Sequence, residues 1–298
     1  MHQHKGREEQ KSIGLVFFLN FTFTIIEFIG GLLTNSTAIM ADAIHDLGDS
    51  LSIGLSWFLA KQSNKNPTEE FSYGYRRFSL LAAFINAIVL ILGSIYVLLE
   101  AIPRLSNPQM PMVKGMFFLA IFGVLVNGFA AFKLSKGNTL NERILNWHLL
   151  EDVLGWIAVL IISIILYFFN WPILDPVLSI IFTLFILVNV LRNLYQTMRL
   201  FLQAAPDANT IDAVKQSLMK LECVTELHKI HIWSLDGEHH VFTAHLVLDK
   251  YIDHKTHQAL KNNISEILSE YKFVFTTIEL EFSTEKCRDG SNKEVIYG

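Results

Sequence analysis

The chain has 298 residues, of which 51% are hydrophobic and only 17% charged, with a formal net charge of −4. A soluble domain usually carries about a quarter charged residues, so this balance favours a membrane protein. The small net charge and the lack of a Lys/Arg stripe exclude the electrostatic footprint of a nucleic-acid-binding protein. Apolar residues dominate from about residue 12 to 199, while the chain from about residue 206 onward has the composition of a soluble domain.

The first 11 residues are polar and charged, and no small-residue cleavage site follows them, so no cleaved signal peptide is expected. A helix needs about 20 apolar residues to cross the hydrocarbon core of a membrane. Six stretches meet this requirement: residues 12–33, 37–60, 78–99, 113–134, 145–169 and 173–195. The sequence therefore predicts an N-terminal segment over 1–11 and a six-helix membrane domain over 12–204. Asp175 and Pro176 predict the start of the sixth helix, as a cap followed by proline in the first turn.

The loops between the spans differ in charge. Basic residues precede the first span, follow the sixth, and fill two of the loops between spans: Lys61, Lys65, Arg76, Arg77, Lys133, Lys136 and Arg143. The opposite loops carry little beyond Arg104 and Lys114. Because cytoplasmic loops carry the excess of Lys and Arg, both termini are predicted to face the cytoplasm. Cys223 and Cys287 form no CxxC pair and no disulfide framework, which fits a reducing compartment for the C-terminal tail.

Two spans carry acidic and histidine residues in their interiors. His45 and Asp49 are four residues apart, as are His148 and Asp152, so each pair lies on one face of its helix. At a rise of about 1.5 Å per residue, both pairs reach the middle of the membrane, where transporters bind their substrates. Two such faces opposed would supply four N/O ligands, the number that a tetrahedral zinc site takes. The alternative is that these are helix-end residues solvated at the interface.

Three classes of function remain open on these residues. A metal exporter needs an energy source, and the sequence has no GxxxxGK[ST] loop for ATP, so we expect coupling to a proton gradient. Imidazole with an ordinary pKa of about 6.5 can exchange a proton for a metal ion near neutral pH. A passive metal channel or importer would use the same ligands without proton coupling. An intramembrane metalloenzyme is the third class, and only Glu151 beside His148 supports it, because no HExxH motif occurs. The sequence therefore predicts a transporter rather than an enzyme.

The motif Ser36-x5-Asp42-Ala43-x-His45-x3-Asp49, together with His148-x3-Asp152, resembles the cation diffusion facilitator family. The resemblance extends over almost the whole chain, and its further elements are Glu27, Gly30-Gly31, Tyr73-Gly74-Tyr75-Arg76, Asp175-Pro176 and His231-Ile232-Trp233. It implies a homodimeric zinc exporter that exchanges the metal for protons in a lipid membrane. His45, Asp49, His148 and Asp152 match the transport-site positions of that family. The loop at 61–76 has no histidine, so the second metal site that some relatives have there is not expected. The loop at about 135–143 lacks the His-rich insert of eukaryotic vesicular members. This second difference favours a bacterial cell (inner) membrane protein.

The tail, from residue 205 to 298, alternates as helix, strand, strand, helix and strand. The predicted elements are helices over 207–221 and 254–271, and strands over 224–235, 239–249 and 274–282. Two helices on an antiparallel three-stranded sheet would make an α+β unit. The family resemblance identifies this unit as a ferredoxin-like domain that dimerises and binds metal. Relatives place regulatory metal ligands at His228, His245 and His257, with Glu279 or Glu281 on the last strand; otherwise these histidines are ordinary surface and strand residues.

Overall fold

The computed structural model describes residues 18, 20–63, 67–134 and 140–288. Inside the helices, the side chains of residues 56, 57, 59–63, 133, 134, 140–148 and 208 lie outside the described set. The chain divides into two compact units, which are described separately. The first contains the described residues up to 61 together with 81–194, and the second contains 62–80 and the described residues from 195 onward.

Six helices correspond to the six predicted spans. They are α1 (Asn20–Thr34), α2 (Thr37–Ser63), α3 (Phe78–Ser106), α4 (Val113–Leu134), α5 (Leu140–Phe168) and α6 (Leu174–Phe201). Most extend a few residues beyond the predicted ends, because polar residues at the ends of a helix can continue it past the apolar stretch. The described part of α1 begins at Asn20, so the predicted start of the first span lies outside the described residues.

Four of these helices are long and apolar enough to cross a membrane by themselves: α3, α4, α5 and α6. Their mean hydropathy over an 18-residue window is 2.1 to 2.4. Large apolar side chains stay exposed along them, such as Leu99, Phe118 and Phe129 at about 70% of full exposure. A helix that is apolar all round is stable only inside a protein core or a membrane. The predicted fold class, a helical membrane protein, is confirmed.

Close packing of α4 against α5 fixes one side of this unit. Trp156 on α5 is almost completely buried, and its ring lies where Gly123 on α4 has no side chain. A Cβ atom at Gly123 would lie 2.2 Å from the indole ring, so only glycine allows the two helices to approach this closely. The aromatic ring of Phe23 on α1 packs edge-on against the same indole, with ring centroids 6.2 Å apart. These contacts hold α5, which carries Asp152, in a fixed position.

The second unit contains the C-terminal α+β domain. Its elements are α7 (Ala208–Met219), β1 (Val224–Ser234), β2 (His240–Leu248), α8 (His254–Ser269) and β3 (Phe273–Phe282), with the strands in the order β1-β2-β3. Asp207 and Asp253 cap the two helices by accepting backbone N–H bonds from Asn209 and Thr256. One hydrophobic core, which includes Leu218, Phe242, Leu246 and Leu260, lies between the helices and the sheet.

The prediction of an antiparallel sheet is wrong for one of the two strand pairs. β1 and β2 are antiparallel, whereas β2 and β3 are parallel. The reason is that α8 returns the chain to the end of the sheet at which β2 began, so that β3 runs in the same direction. This α-β-β-α-β order agrees with the expected ferredoxin-like class.

The loop between α2 and α3 belongs to the second unit. The ring of Tyr73 meets those of Trp233 and Phe275 edge-on, with centroids 6.2 and 5.1 Å away. Arg76 Nη1 lies 3.8 Å from Asp236 Oδ2 in the turn between β1 and β2. Gly237 follows in that turn with φ of +98°, a conformation that glycine adopts without strain. The loop is therefore fastened to the sheet by aromatic contacts and by one ion pair.

Candidate metal centres

The first turn of α2 is held in place by a side chain of α6. Asp175 Oδ2 accepts hydrogen bonds from the Thr37 backbone N–H at 2.7 Å and from the Thr37 hydroxyl at 2.9 Å. Asp175 Oδ1 accepts a bond of 2.5 Å from the Ser36 hydroxyl. Asp175 was predicted to cap its own helix, but α6 begins one residue earlier, at Leu174, and the carboxylate caps α2 instead. This cap sets the position of the helix that carries His45 and Asp49.

One turn of α2 brings the predicted pair His45 and Asp49 together. His45 Nε2 lies 3.7 Å from Asp49 Oδ2, and each side chain retains about a quarter of its full exposure. Imidazole nitrogen and carboxylate oxygen are both zinc ligands, and the two facing atoms are themselves buried although their side chains are partly exposed. The pair can therefore supply two ligands from one helix face.

The third described member of the predicted set is Asp152 on α5. Asp152 is buried, with 7% of its surface exposed, and its carboxyl lies close enough to that of Asp42 on α2 to interact electrostatically. The two helices are in contact at this level, because a Cβ atom at Gly155 would lie 3.5 Å from Asp42 Oδ1. α2 and α5 are thus neighbours here. His148 lies on α5 one turn before Asp152, and its side chain is outside the described set.

This region holds buried carboxyl groups in addition to the two predicted carboxylate ligands, Asp49 and Asp152. Glu27, Asp42 and Asp46 are buried, at 1%, 7% and 3% exposure. The Glu27 carboxyl lies beside that of Asp46, close enough for the two groups to share a hydrogen bond. Two carboxyl groups can share a hydrogen bond only when one carries a proton. The sequence has no Lys or Arg from residue 12 to 60, or from 144 to 191, so neither α1, the buried part of α2, nor the buried part of α5 supplies a positive charge. A cation or protons must therefore neutralise these groups.

A second cluster lies in the sheet of the C-terminal domain. His228 on β1 and His245 on β2 are direct cross-strand partners, with ring centroids 5.4 Å apart. His245 Nδ1 lies 2.6 Å from Glu281 Oε1, and His228 Nε2 lies 3.2 Å from Glu281 Oε2. Cys287 joins them, with Sγ 3.6 Å from His245 Nδ1. One ligand atom from each of these four residues lies within 4.8 Å of the others, and no other group of three or more His, Cys, Asp and Glu side chains in the described ranges is as compact.

The ionisation of Glu281 suits a metal ligand. Burial acts to raise the pKa of this carboxyl, but hydrogen bonds from His245 and Cys287, with the histidines nearby, bring it below its ordinary value. The carboxylate therefore stays ionised at neutral pH and offers its oxygens to a cation. Glu281 itself is buried, at 6% exposure.

Two further residues predicted for this site lie differently. Glu279 Oε2 is 3.7 Å from His245 Nε2 and accepts a hydrogen bond of 2.7 Å from Arg288. His257 is on the first turn of α8 and is not a member of the compact group. Cys287 had no predicted role. Its only signal in the sequence is its position six residues after Glu281, just beyond the last strand.

Comparison with known proteins gives two family matches. The cation efflux transmembrane domain matches residues 13–202, and the cation efflux protein cytoplasmic domain matches residues 206–283. A cadmium, cobalt and zinc/H(+)-K(+) antiporter of Bacillus velezensis is 30% identical over 94% of this chain and 91% of its own. The zinc transporter ZitB of Pectobacterium atrosepticum is 30% identical over 97% and 90%. The metal cation efflux system protein CzcD of Cupriavidus metallidurans is 28% identical over 96% and 90%.

These matches cover both the membrane helices and the C-terminal domain, and they confirm the resemblance to the cation diffusion facilitators. They also confirm the prediction of a transporter rather than an enzyme. The chain belongs to the cation efflux family.

Proposed function

We propose that the chain exports a divalent metal cation, zinc before others, in exchange for protons across the cell membrane. One observation carries this proposal: buried carboxyl groups lie on α2 with the His45–Asp49 pair, on α5 and on α1, and neither α1 nor the buried parts of α2 and α5 supply a Lys or Arg to neutralise them. An ion of charge +2 and protons are the two kinds of species that can alternate there. The relatives described above, which include zinc transporters and a metal/proton antiporter, support the same function.

The transport site would consist of His45, Asp49, His148 and Asp152, two residues from each of α2 and α5. Two imidazoles and two carboxylates form a four-ligand N/O set, which suits zinc better than it suits magnesium or calcium. Facing the cytoplasm, the deprotonated set binds the metal ion. Facing outward, protons compete for the same atoms, the metal ion leaves, and the protonated site returns.

Proton exchange would also supply the energy. Moving a charge against the membrane potential costs about 2.3 kcal/mol per elementary charge per 100 mV. Each proton that enters as the metal ion leaves removes one charge from this cost and adds the energy of the pH gradient. The histidines suit the exchange, because an imidazole must lose its proton before it can bind zinc.

The C-terminal domain would bind a second metal ion for regulation. His228, His245 and Glu281 form the centre of that site, with Glu279 near His245 as a further candidate and His257 as a candidate from the sequence alone. The domain matches a family domain of cytoplasmic parts of cation efflux proteins, which supports a homodimer joined by these domains. Zinc that binds the folded, paired domains would stabilise them by mass action and favour the active transporter.

The membrane arrangement follows from the loop charges. We place residues 1–11 and the domain over 205–298 in the cytoplasm, with the transport domain over 12–204 in contact with lipid, and the protein in the inner membrane of a bacterial cell. The excess of Lys and Arg in the loops after the second and fourth helices supports this orientation.

Reconstituted proteoliposomes test the proposal. Uptake of zinc, cadmium, cobalt and manganese is measured with an imposed pH gradient, acid inside, and again after an ionophore has dissipated it. We expect zinc uptake that accelerates with the gradient and falls when the gradient is removed. A passive channel or importer would instead give uptake that follows the zinc gradient alone.

A further inference from the structure

The segment after β3 carries a cysteine into the sheet cluster, and hydrogen bonds on both sides of it fix its path. Immediately after the strand, the chain turns at Glu285, whose backbone N–H donates to the Phe282 carbonyl at 2.8 Å. The Glu285 carboxylate accepts a bond of 2.9 Å from the Phe282 backbone N–H. Beyond the cysteine, Arg288 bonds back to Glu279 on β3 at 2.7 Å. Cys287 is thus held between two attachments to the same strand.

The neighbours of the Cys287 thiol are metal-binding groups. Its Sγ lies 3.6 Å from His245 Nδ1, and its S–H is hydrogen-bonded to the Glu281 carboxylate. A buried cysteine that serves only as a small apolar side chain is surrounded by hydrocarbon, whereas this half-buried thiol lies against an imidazole and a carboxylate. Those are the surroundings of a cysteine that coordinates a metal ion.

The donor count supports the same interpretation. Within the compact group, His228, His245 and Glu281 provide two nitrogens and one oxygen, which leaves a tetrahedral ion one ligand short there. Glu279, outside this group, is held by its hydrogen bond from Arg288. A thiolate from Cys287 completes a set of two nitrogens, one oxygen and one sulfur, all within 4.8 Å of one another. Sulfur is the softest ligand that a protein offers, so it favours zinc and cadmium and disfavours magnesium and manganese.

We propose that Cys287 is the fourth ligand of the cytoplasmic metal site and makes that site selective for thiophilic divalent ions such as zinc and cadmium. On binding, the thiol releases its proton to solvent, and the sulfur lone pair forms the bond to the metal ion. This inference rests on the proposed cytoplasmic site, and it adds a ligand that neither the family motifs nor the spacing of the histidines indicates.

Cobalt(II) is a suitable probe, because a thiolate ligand gives a sulfur-to-cobalt charge-transfer absorption in the near ultraviolet, while tetrahedral coordination gives separate visible bands. The full chain is purified in detergent under reducing conditions, with Asp49→Ala and Asp152→Ala to silence the membrane site. Cobalt is then titrated into this background, into the background with Cys287→Ser, and into the background with Cys223→Ser. Cys223 is the matched control, since it is the other of the two cysteines and lies outside the cluster.

We expect the charge-transfer band in the background and in Cys223→Ser, and its loss in Cys287→Ser. Cadmium should displace cobalt at a lower concentration in the background than in Cys287→Ser, and magnesium should displace it in neither.

The role of Cys287 would be overturned if cobalt binds at the cluster, shown by visible bands that His245→Ala removes, but no charge-transfer band accompanies them. It would equally be overturned if a charge-transfer band is present and survives Cys287→Ser. Either result leaves the cytoplasmic site itself standing. If no cobalt band depends on His245, so that His245→Ala changes none of them, the cytoplasmic site is overturned as well.

Discussion

Asp175 on α6 accepts two hydrogen bonds from Thr37, one from its backbone N–H at 2.7 Å and one from its hydroxyl at 2.9 Å. Thr37 is the first residue of α2, so a carboxylate from one helix caps the N-terminus of another. The exposed N–H groups of a helix N-terminus carry partial positive charge, which stabilises the buried carboxylate. A third bond, from the Ser179 hydroxyl to the Thr37 carbonyl at 2.9 Å, strengthens the same junction. α6 thereby positions the helix that carries two of the proposed transport ligands.

Removal of this junction should lower stability cooperatively. We expect Asp175→Asn to reduce the free energy of unfolding by about 1–3 kcal/mol, because buried donors on α2 lose a charged acceptor. A double-mutant cycle with Thr37→Ala, measured by thermal unfolding in detergent, should show a coupling energy above about 0.5 kcal/mol. Ser179→Ala is the control, since it removes one hydrogen bond from the junction without touching the carboxylate. Its coupling energy with Asp175→Asn should be smaller than that of Thr37→Ala. Strictly additive effects of Asp175→Asn and Thr37→Ala would contradict the structural role of this contact.

Loss of one carboxylate ligand should stop transport without unfolding the protein. Asp49→Ala and Asp152→Ala each remove one of four proposed ligands, and both should abolish zinc uptake into proteoliposomes. Asp212→Ala is the control, because it removes an exposed carboxylate on α7. Melting temperatures of all three variants should stay close to that of the wild type. Zinc uptake near the wild-type rate in either membrane variant would refute the four-ligand site.

His45 should control the choice of metal. His45→Asp keeps a ligand on the same helix face but replaces nitrogen by oxygen, which suits zinc less exclusively. We therefore expect the ratio of zinc to cadmium uptake to change, while uptake of metal persists. Asp42→Asn gives a comparison at a buried carboxyl that is not one of the proposed ligands. If His45→Asp transports both metals in the wild-type ratio, His45 is not a ligand.

The sheet cluster makes a separate prediction for zinc binding. In the full chain with the membrane site silenced, zinc should raise the melting temperature of the C-terminal domain, because the ion binds only the folded form. His228→Ala, His245→Ala or Glu281→Gln should remove that rise. His257→Ala separates the compact group from the candidate that only the sequence suggests: because this histidine lies outside the group, we expect the rise to persist. A rise that depends on His257 and not on His228 would move the site to α8.

Asp236 should make the second unit sensitive to acid. Burial acts to raise the pKa of this carboxyl, but hydrogen bonds from His239 and Glu238 N–H groups and from the His239 ring hold it below its ordinary value. A carboxylate with a lowered pKa stabilises the fold above its unfolded pKa and loses that effect as the pH falls through the folded pKa. Asp236→Asn should thus cost about 1–3 kcal/mol near neutral pH and progressively less below about pH 4. Hydrogen exchange in the loop at 67–77 should rise in Asp236→Asn as stability falls. The control Asp212→Asn should change neither the stability nor the exchange rate. A stability difference between Asp236→Asn and the wild type that does not vary with pH would exclude ionisation of Asp236 as its cause.

Periodicity made much of this fold predictable. Runs of about 20 apolar residues located the membrane helices, and the alternation around His228 and His245 located two neighbouring strands, because both patterns follow from local geometry. The parallel pairing of β3 was missed, since it depends on where α8 returns the chain. Cys287 and the Asp175 cap were missed for a related reason. Asp175 contacts Thr37, 138 residues away, and Cys287 contacts His245, 42 residues away, and spacing within one helix or strand carries no information about such contacts.

Proton exchange is the central claim. Recording the internal zinc concentration and the internal pH at the same time, in the same proteoliposomes, tests it most directly. Zinc is added outside vesicles that contain a zinc indicator and a pH indicator, with the membrane potential clamped and no pH gradient imposed. We predict that zinc influx makes the interior alkaline in proportion to the zinc that enters, and that Asp152→Ala abolishes both signals. Zinc influx that leaves the internal pH unchanged would contradict the account and place this chain among passive metal pathways.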